Sequence, residues 1–482
     1  MDLRTEAERV MVAHGFDLAV PPAVPRQLSN LEHHPPAVAA TPEIRDLRQL
    51  AWSSIDNDTS RDLDQLEVAE QRADAAINVL VAIADVDAFV PQDSPIDHFA
   101  ARQTTTVYTG IRNFPMLPEQ LSTAATSLQE GADKLAIVVD FVVAASGHVQ
   151  SSHVYRAIVR NTAQLTYGAV GAWLEQRGDP PGKVASSPAI QEQLRLQDLA
   201  AQALRGERHR HGALNIETIE TRPILLNDQV TRLEQQEKNR ATELIEDFMI
   251  ASNEIVARLL EGVPSIRRVV KTPKRWDRIV TVAAAAGGRL PADPDSRALN
   301  EFLVAQKAAD PDHFADLSLA VIKLMGPGEY AVERPGGPEQ GHFGLAVEDY
   351  THSTAPNRRF ADLVTQRLVK AVIAQQPGPY EEADLAAVAA RCTERADAAR
   401  KVEREMSKRI AAVAMSGRIG ETFEAIVTGV TPHGTFVRVL RPHVEGLLVH
   451  SRPGTDVGDK LRVALVGTDP ARGFIDFAPV RG

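Results

Sequence analysis

The chain has 482 residues, 44% of them hydrophobic and 24% charged, and a formal net charge of −11. This composition indicates a globular protein of about two to four domains and excludes an intrinsically disordered chain. The acidic balance argues against a surface coated with nucleic acid, although it permits a basic channel inside an acidic shell. With one cysteine, Cys392, we expect no disulfide partner and a cytoplasmic location. No apolar run reaches 18 residues, so we expect no membrane partner.

Residues 1–50 predict an arm and not an independent domain. A helical pattern over residues 3–14 is followed by six prolines between positions 21 and 42. Because proline fixes φ and removes a backbone donor, we expect this second stretch to be extended coil.

Residues 51–414 predict one large α+β domain. Two apolar runs rich in valine and isoleucine, at 77–90 and 135–147, are typical of buried strands. Amphipathic patterns predict helices at 189–205, 231–262, 297–307, 359–375 and 383–414. Strands followed by helices favour a mixed sheet flanked by helices.

Residues 415–482 consist of short alternating segments separated by glycine and proline turns. Five such segments in about 65 residues predict a small, closed all-β barrel of the OB-fold type. The barrel region has eight basic and seven acidic residues between 416 and 482, so it is less acidic than the rest of the chain.

Four aspartates lie within nine residues of one segment: Asp56, Asp58, Asp62 and Asp64. On an extended segment Asp62 and Asp64 point to the same face, where two carboxylates repel each other unless a cation neutralises them. Hard oxygen ligands without histidine or cysteine favour Mg²⁺, with Mn²⁺ as the alternative. From these residues alone, a solvated acidic loop with Asp and Ser capping its turns is an equally good interpretation.

Tyr108 lies in a polar stretch rich in threonine, just before a rigid turn that contains two prolines. An aromatic ring in such a loop can stack on a nucleic-acid base. From sequence alone, a buried ring with a solvated hydroxyl is the better-supported interpretation.

Arg358 and Arg359 lie at the start of the helix predicted over 359–375. Positive charge at a helix N-terminus is disfavoured by the helix dipole, whereas the backbone donors there favour an anion. Two guanidiniums at this position therefore favour a bound anion over a pair of plain surface arginines. Glu246 and Asp247 precede an apolar helical face, and from sequence alone they are best interpreted as an exposed acidic pair.

Five motifs, taken together and in order, resemble the ribonuclease II catalytic domain. They are the aspartates at 56, 62 and 64, followed by IADVDAFV, VYTGIRNFPMLPEQLS, IEDFMIASN and HFGLAVEDYTHSTAPNRRFADLV. The tail resembles an S1-type RNA-binding OB-fold, through GETFEAIVTGVTPHGTFVRV and VEGLLVHS. The resemblance extends over roughly residues 50–482 and divides the chain into an arm (1–50), a catalytic domain (51–414) and an S1-type domain (415–482).

The resemblance implies a processive, Mg²⁺-dependent 3′→5′ exoribonuclease that hydrolyses single-stranded RNA to nucleoside 5′-monophosphates. It implies that Asp56, Asp62 and Asp64 bind metal and activate water, and that Arg358 contacts the scissile phosphate. The physical chemistry agrees, because a metal lowers the pKa of bound water and an arginine stabilises the charge that develops.

Further residues are predicted to contact RNA. Tyr108 matches the family's tyrosine that stacks near the 3′ end, and Glu246 and Asp247 match an acidic pair near the terminal nucleotides. OB-folds hold single strands by stacking and by phosphate contacts. The other predicted contacts are Arg359 and, in the barrel, Phe423, His433 and Phe436.

The chain also departs from the family pattern. Gln65 stands where a fourth aspartate is usual, so one metal position is expected to be weak unless Asp58 substitutes for it. Ala82 replaces a common histidine, and Asn357 replaces an isoleucine. Neither the second stacking aromatic nor a catalytic-site glutamate expected near position 399 is identifiable, and we expect none of the cold-shock domains that usually precede the catalytic domain.

Two other functions compete with the exoribonuclease. Gln65 motivates a catalytically weakened, RNA-binding member of the family. A Mg²⁺-dependent phosphohydrolase for small nucleotides is disfavoured, because a C-terminal OB-fold has no obvious use with a mononucleotide. Protein partners cannot be predicted from the sequence.

Overall fold

The computed structural model describes residues 2–226, 229–236, 238–338, 340–432, 434–451 and 454–480. The strands are β1 (Ile44–Asp46), β2 (Ser53–Asp56), β3 (Gln65–Gln71), β4 (Ile77–Ala84), β5 (Val107–Tyr108), β6 (Asn113–Phe114), β7 (Asp133–Val143), β8 (Val149–Arg160), β9 (Ala163–Thr166), β10 (Glu220–Leu226), β11 (Gln229–Gln236), β12 (Ser265–Val269), β13 (Glu329–Glu333), β14 (Thr422–Thr431), β15 (Gly434–Leu440), β16 (His443–Leu448), β17 (Lys460–Asp469) and β18 (Phe474–Pro479). The helices are α1 (Leu3–Ala13), α2 (Ala23–His33), α3 (Pro95–Gln103), α4 (Tyr167–Leu174), α5 (Gly182–Ala185), α6 (Pro188–Arg210), α7 (Arg240–Leu259), α8 (Trp276–Ala285), α9 (Ser296–Ala309), α10 (Pro311–Met325), α11 (Phe360–Ile373) and α12 (Glu382–Met415).

A seven-stranded mixed sheet forms the centre of the large domain, in the order β1-β8-β7-β4-β3-β2-β9. Strand β4 pairs antiparallel with both β3 and β7, and β7 pairs antiparallel with β8. The two outer strands pair parallel to their neighbours, β1 to β8 and β9 to β2. The predicted strands at 77–90 and 135–147 are therefore the central pair β4 and β7, which end earlier than predicted, at Ala84 and Val143. The predicted α+β class, with helices flanking a mixed sheet, is confirmed.

The topology brings the ends of three strands to one edge of the sheet. Strand β2 ends at Asp56, and its antiparallel neighbour β3 begins at Gln65, directly after Asp64. Strand β4 ends beside them, because the Ala84 amide donates to the Asp64 carbonyl over 2.9 Å. This edge carries the aspartates that the sequence singled out.

Helices α6 and α7 cover the sheet and begin at identifiable caps. Helix α6 starts after Ser187, whose side chain accepts from the Ile190 amide. The predicted helix at 231–262 is shorter than expected: residues up to 236 belong to β11, and α7 begins after Asn239, which forms a capping box with Thr242. The Phe248 ring of α7 meets Phe141 of β7 edge-on, with 6.2 Å between ring centroids.

The arm differs from the prediction. Residues 23–33 form helix α2 and not extended coil. Pro22 is the N-cap and Pro25 lies in the first turn, where a missing amide hydrogen costs nothing, so these prolines are compatible with a helix start. Helix α1 packs on α12, and the Arg409 guanidinium donates to Glu6 over 2.9 Å. The arm is thus part of the folded unit.

The predicted C-terminal barrel is confirmed as a closed sheet in the order β14-β15-β16-β18-β17. Met415 and Ala412, from the last turn of α12, belong to its core, so the long helix leads directly into the barrel. Phe423 was expected on the surface, but it is 7% exposed and packs edge-on against Phe477. The alternation of β14 directs Phe423 inward, and that prediction is wrong.

The other two predicted barrel contacts have different outcomes. Phe436 lies on β15 opposite Leu447 and is partly exposed, so its role in RNA binding stays a prediction. His433 lies outside the described residues. Within the part of the chain that the structure describes, no helix is long and apolar enough to cross a membrane.

Replacing Phe141 by alanine is expected to lower the free energy of unfolding by about 3–5 kcal/mol, because the fully buried ring leaves a cavity between the sheet and α7. Urea denaturation followed by circular dichroism measures the change. The matched control is Leu199→Ala on α6, where the side chain is 56% exposed and a change within about 0.5 kcal/mol is expected. A loss below about 1 kcal/mol for Phe141→Ala would contradict this packing.

Candidate active site

Asp64 is the most deeply buried of the predicted site carboxylates in the aspartate segment, at 2% exposure. Its two oxygens accept hydrogen bonds of 3.1 Å from the Arg358 Nε and from the Asn357 backbone amide. Burial raises the pKa of Asp64 to about 7; Arg358 opposes this rise, whereas the negative charge of Asp62 adds to it. The structure therefore pairs the predicted catalytic aspartate with the predicted phosphate-binding arginine.

Arg358 precedes α11 and remains accessible. Its side chain is 44% exposed although the Nε is bound to Asp64. Its backbone carbonyl accepts from the Thr106 amide over 3.0 Å, which ties the start of α11 to the Tyr108 segment. The guanidinium is therefore fixed at one side and open to an anion at the other.

Tyr108 lies directly over the aspartates. Its hydroxyl donates to Asp62 Oδ2 over 3.2 Å, and the residue is 39% exposed. Its backbone amide donates to Glu403 Oε1 over 3.1 Å. The exposed ring fits the predicted stacking role better than a buried ring would.

Glu403 is a site residue that the sequence did not reveal. A glutamate was expected near position 399, but Ala399 is a buried helix residue, and Glu403 reaches Tyr108 from the next turn of α12. The helical period would have indicated it, because Cys392, Ala399 and Glu403 follow the 3.6-residue repeat along one face.

Asp56 lies at the end of β2 and is held by its own loop. Its Oδ1 accepts from the Ser60 hydroxyl and from the Asn57 amide, each over 2.7 Å. Burial raises the pKa of Asp56, while the bond from Ser60 works in the opposite direction. The charges of Arg358 and Asp62 also act on Asp56, so it belongs to the same cluster as Asp64.

The Asp58 side chain pairs with an arginine outside the aspartate segment. This side chain is 63% exposed and accepts from Arg222 over 3.3 Å, and Arg222 also donates to Glu234 over 2.9 Å. Asp58 is thus paired with an arginine of the β10–β11 hairpin. The suggestion that it substitutes for the missing fourth aspartate has no support from this geometry.

A carboxylate other than Asp58 lies near Gln65, the residue that replaces the family's fourth aspartate. Glu67 follows two residues later on β3, so the two side chains lie on the same face of the strand. Glu67 is fully buried, and neither carboxylate oxygen has a hydrogen-bond partner in the described part of the chain. Burial, and then the charge of Asp56, raises its pKa well above the ordinary value. The sequence motifs did not reveal Glu67.

Glu246 and Asp247 lie on α7, where each is paired with basic side chains. Glu246 pairs with Lys238 over 2.8 Å and is half-exposed. Asp247 is 1% exposed and is held by Arg205 over 2.6 Å and by Arg208. The Asp247 carboxylate is therefore used within the protein, whereas an RNA contact by Glu246 stays a prediction.

The site combines buried carboxylates, a guanidinium that is exposed on one side, and an exposed tyrosine above them. Such a site is suited to binding a phosphodiester. Within the described ranges, no three His, Cys, Asp or Glu side chains converge closely enough to hold a metal by themselves. The class that fold and site define is thus a nuclease-type domain joined to an OB-fold.

The family comparison identifies this class. Residues 44–375 match the RNB domain, and residues 421–480 match the RNase II-type exonuclease C-terminal S1 domain. The chain belongs to the RNB family, as the sequence motifs predicted. The first match covers more than half of the chain and includes Asp56, Asp64, Tyr108 and Arg358, whereas Glu403 lies beyond it.

Curated relatives are named Ribonuclease R or Exoribonuclease 2. The chain is 29% identical over 466 residues to Ribonuclease R of Vibrio parahaemolyticus, covering 92% of this chain and 54% of the relative. It is 29% identical over 453 residues to Ribonuclease R of Escherichia coli, covering 90% and 54%. The chain therefore spans about half the length of the curated relatives it matches.

Solved structures show the same fold. The structure titled Mycoplasma genitalium RNase R in complex with ribose methylated single-stranded RNA aligns with a TM-score of 0.87 at 21% identity, covering 99% of this chain and 78% of that one. Yeast Ssd1, titled a pseudonuclease, aligns with a TM-score of 0.71 at 16% identity, covering 92% and 55%. At these identities the likeness concerns the fold.

In metal-free protein, Asp64 is expected to titrate near pH 7, since burial raises its pKa to about 7. Arg358 lowers that pKa, so Arg358→Gln is expected to raise it further, and the carboxylate then protonates at a higher pH. Carboxyl ¹³C NMR in EDTA measures both values, with Asp64→Asn assigning the resonance. Arg222→Gln is the control and leaves the titration in place; a wild-type pKa near the ordinary aspartate value would contradict the burial argument.

Proposed function

We propose that this chain is a Mg²⁺-dependent exoribonuclease of the cytoplasm that hydrolyses single-stranded RNA processively from its 3′ end and releases nucleoside 5′-monophosphates. The observation that carries the proposal is the buried Asp64–Arg358 pair beneath Tyr108, in a chain of the RNB family. The names of the curated relatives support it. Because the chain spans about half their length, the activity has to be measured on this chain itself.

The donor set at the sheet edge fits Mg²⁺. Asp56, Asp62 and Asp64 offer oxygen ligands only, and Mg²⁺ usually binds through one or two carboxylates and keeps several waters. The residues that would hold it are Asp56 and Asp64, with Asp62 beside them. When bound, Mg²⁺ supplies charge neutralisation at the phosphate and lowers the pKa of a water.

The protein's own side chains bind and orient the RNA and stabilise the charge that develops on the phosphate. Arg358 donates from its exposed side to the scissile phosphate and stabilises the charge that develops there. Asp64 accepts from the Arg358 Nε and so fixes the guanidinium in this position. Tyr108 offers a ring for the terminal base, and its hydroxyl bond to Asp62 sets the orientation of the ring.

A second candidate function is RNA binding with weakened hydrolysis. Gln65 favours it, because an amide oxygen is a weaker ligand for a hard cation than a carboxylate. The fold is also that of yeast Ssd1, which its title calls a pseudonuclease. End-labelled single-stranded RNA with Mg²⁺ separates the two functions: the exoribonuclease yields mononucleotides, and the binder yields only a shifted band.

Asp64→Asn is expected to lower the rate of mononucleotide release by about 10²–10⁴-fold while leaving RNA affinity nearly unchanged. The swap is nearly isosteric, so it removes the charge without creating a cavity. Single-turnover cleavage and filter binding measure the two effects. Asp74→Asn, at a 56% exposed side chain, is the matched control and keeps wild-type turnover. Near wild-type turnover in Asp64→Asn would exclude this cluster as the catalytic centre.

Gln65→Asp is expected to lower the Mg²⁺ concentration needed for half-maximal activity, because a charged ligand adds affinity for a hard cation. Asp58→Asn is expected to leave that concentration unchanged, since Asp58 pairs with Arg222. Mg²⁺ titration of the two variants and the wild type measures both effects. If Asp58→Asn raised the requirement strongly and Gln65→Asp did not lower it, Asp58 would be the fourth ligand.

A further inference from the structure

A second cationic cavity lies on the far side of the segment that carries Arg358. It has a volume of about 200 Å³, is partly open to solvent, and is lined by residues of β12, β13 and α12 and by the residues that follow α3. Its polar lining consists of Thr104, Thr105, Thr106, Arg268, Tyr330, His352, Arg359, Arg400 and Glu403. Asp56, Asp62, Asp64 and Arg358 are not among the residues that line it.

Two consecutive arginines separate the cavity from the cleavage site. The backbone at Arg359 is extended, with φ −136° and ψ 123°, so the side chains of Arg358 and Arg359 leave the chain in opposite directions. Arg358 turns to Asp64, whereas Arg359 turns to Asp362 over 2.7 Å and lines the cavity. The cavity is therefore separated by this segment from the Asp64–Arg358 pair, although Glu403, which lines the cavity, also contacts Tyr108.

Three buried donors that line the cavity have no partner among the described residues. They are Arg268 Nη1, Arg359 Nε and the Thr104 hydroxyl. Leaving a buried donor without a partner is costly, and more so for a charged group. The three donors belong to residues of one small cavity, and they share the chemistry that recognises an oxyanion.

The Thr104 backbone is held in an unfavourable conformation. Its φ is 59°, in the left-handed region that β-branched residues rarely adopt. Its carbonyl accepts from the Phe360 amide over 2.8 Å, and the next residue, Thr105, pairs with Arg359. The contacts between this segment and the start of α11 thus hold Thr104, which is 3% exposed, at the cavity wall despite the strain.

Arg268 is the cation that most requires a ligand. Arg359 and Arg400 have carboxylate partners, Asp362 and Asp397, but no carboxylate in the described part of the chain pairs with Arg268. Its guanidinium lies over the Tyr330 ring, 4.9 Å from the centroid. Burial lowers the pKa of Arg268, and the neighbouring charges of Arg400 and Arg359 lower it further, which indicates an excess of positive charge.

The aromatic wall of the cavity adds no negative charge. Tyr330 shares a hydrogen bond of 2.8 Å with His352, whose pKa burial and the surrounding arginines hold well below its ordinary value. The histidine is therefore neutral at physiological pH. Glu403 is the single carboxylate among the described lining residues, against three guanidiniums.

We propose that this cavity is a second anion site that binds the phosphate group of a phosphate monoester. The chemistry follows from the lining: guanidinium and hydroxyl donors converge on a volume too small for a whole base and ribose, but sufficient for a phosphate with part of its sugar. Both inorganic phosphate and a nucleoside 5′-monophosphate carry this group. The site does not depend on hydrolysis, so it is tested without RNA.

Isothermal titration of the full-length, metal-free protein in EDTA tests the site with three probes: inorganic phosphate, adenosine 5′-monophosphate and adenosine. We expect the two phosphates to bind and adenosine not to bind. Arg268→Gln is expected to weaken phosphate binding by at least about tenfold, and the isosteric Thr104→Val by about threefold. If the monophosphate binds more tightly than phosphate, the ligand is a nucleotide; equal affinities indicate that the phosphate group alone is recognised.

Matched variants distinguish this cavity from the other cationic sites of the protein. Arg45→Gln removes a guanidinium that also covers a tyrosine ring, 3.6 Å from the Tyr155 centroid, but lies outside the cavity; it is expected to leave binding unchanged. Arg358→Gln removes the phosphate contact of the cleavage site, and in that background Arg268→Gln is expected to weaken the remaining phosphate binding by the same factor. Because Arg268 also packs on Tyr330, Thr104→Val provides an independent test if the arginine variant unfolds.

Three results would overturn the proposal. The first is the absence of phosphate binding at about 10 mM phosphate, a concentration well above the dissociation constant of a weak specific site. The second is unchanged binding in Thr104→Val and in folded Arg268→Gln. The third is a loss of binding in Arg358→Gln alone, which would assign the phosphate to the cleavage site.

Discussion

The buried pairing of Asp64 with Arg358 is the interaction on which the rest of the site depends. A carboxylate at 2% exposure is costly unless charge and hydrogen bonds compensate, and both come from a segment almost 300 positions further along the chain. That segment must therefore dock on the sheet edge. The Gln366 side chain fixes it by donating to the Ala84 carbonyl over 2.8 Å, and Arg367 adds a buried pair with Asp97 over 2.8 Å.

The same docking creates two environments for anions. Because Arg358 and Arg359 leave an extended backbone on opposite sides, one guanidinium faces the aspartates and the other faces the cavity beside Arg268. Within a chain of net charge −11, each of these two environments presents guanidinium groups.

The fold shows which carboxylates could compensate for Gln65, the residue at which the chain departs from the family pattern. Asp58, the nearest alternative in sequence, is engaged by Arg222 of the β10–β11 hairpin. Glu67 is instead the carboxylate that lies on the same strand face as Gln65, fully buried and without a hydrogen-bond partner in the described part of the chain. A carboxylate is thus present on this face of β3 although Gln65 replaces the usual aspartate.

The sequence by itself determined the fold class, the barrel and the family, because Val- and Ile-rich runs, helical periods and ordered motifs are local properties. It also identified Asp64, Arg358 and Tyr108, which the fold brings together. Only the tertiary structure decided that the proline-rich arm holds a helix, that Phe423 points inward and that Glu403 reaches Tyr108. The strand and helix periods give the face on which Phe423 and Glu403 lie, but only the packing of distant segments decides which face turns to the core or to Tyr108.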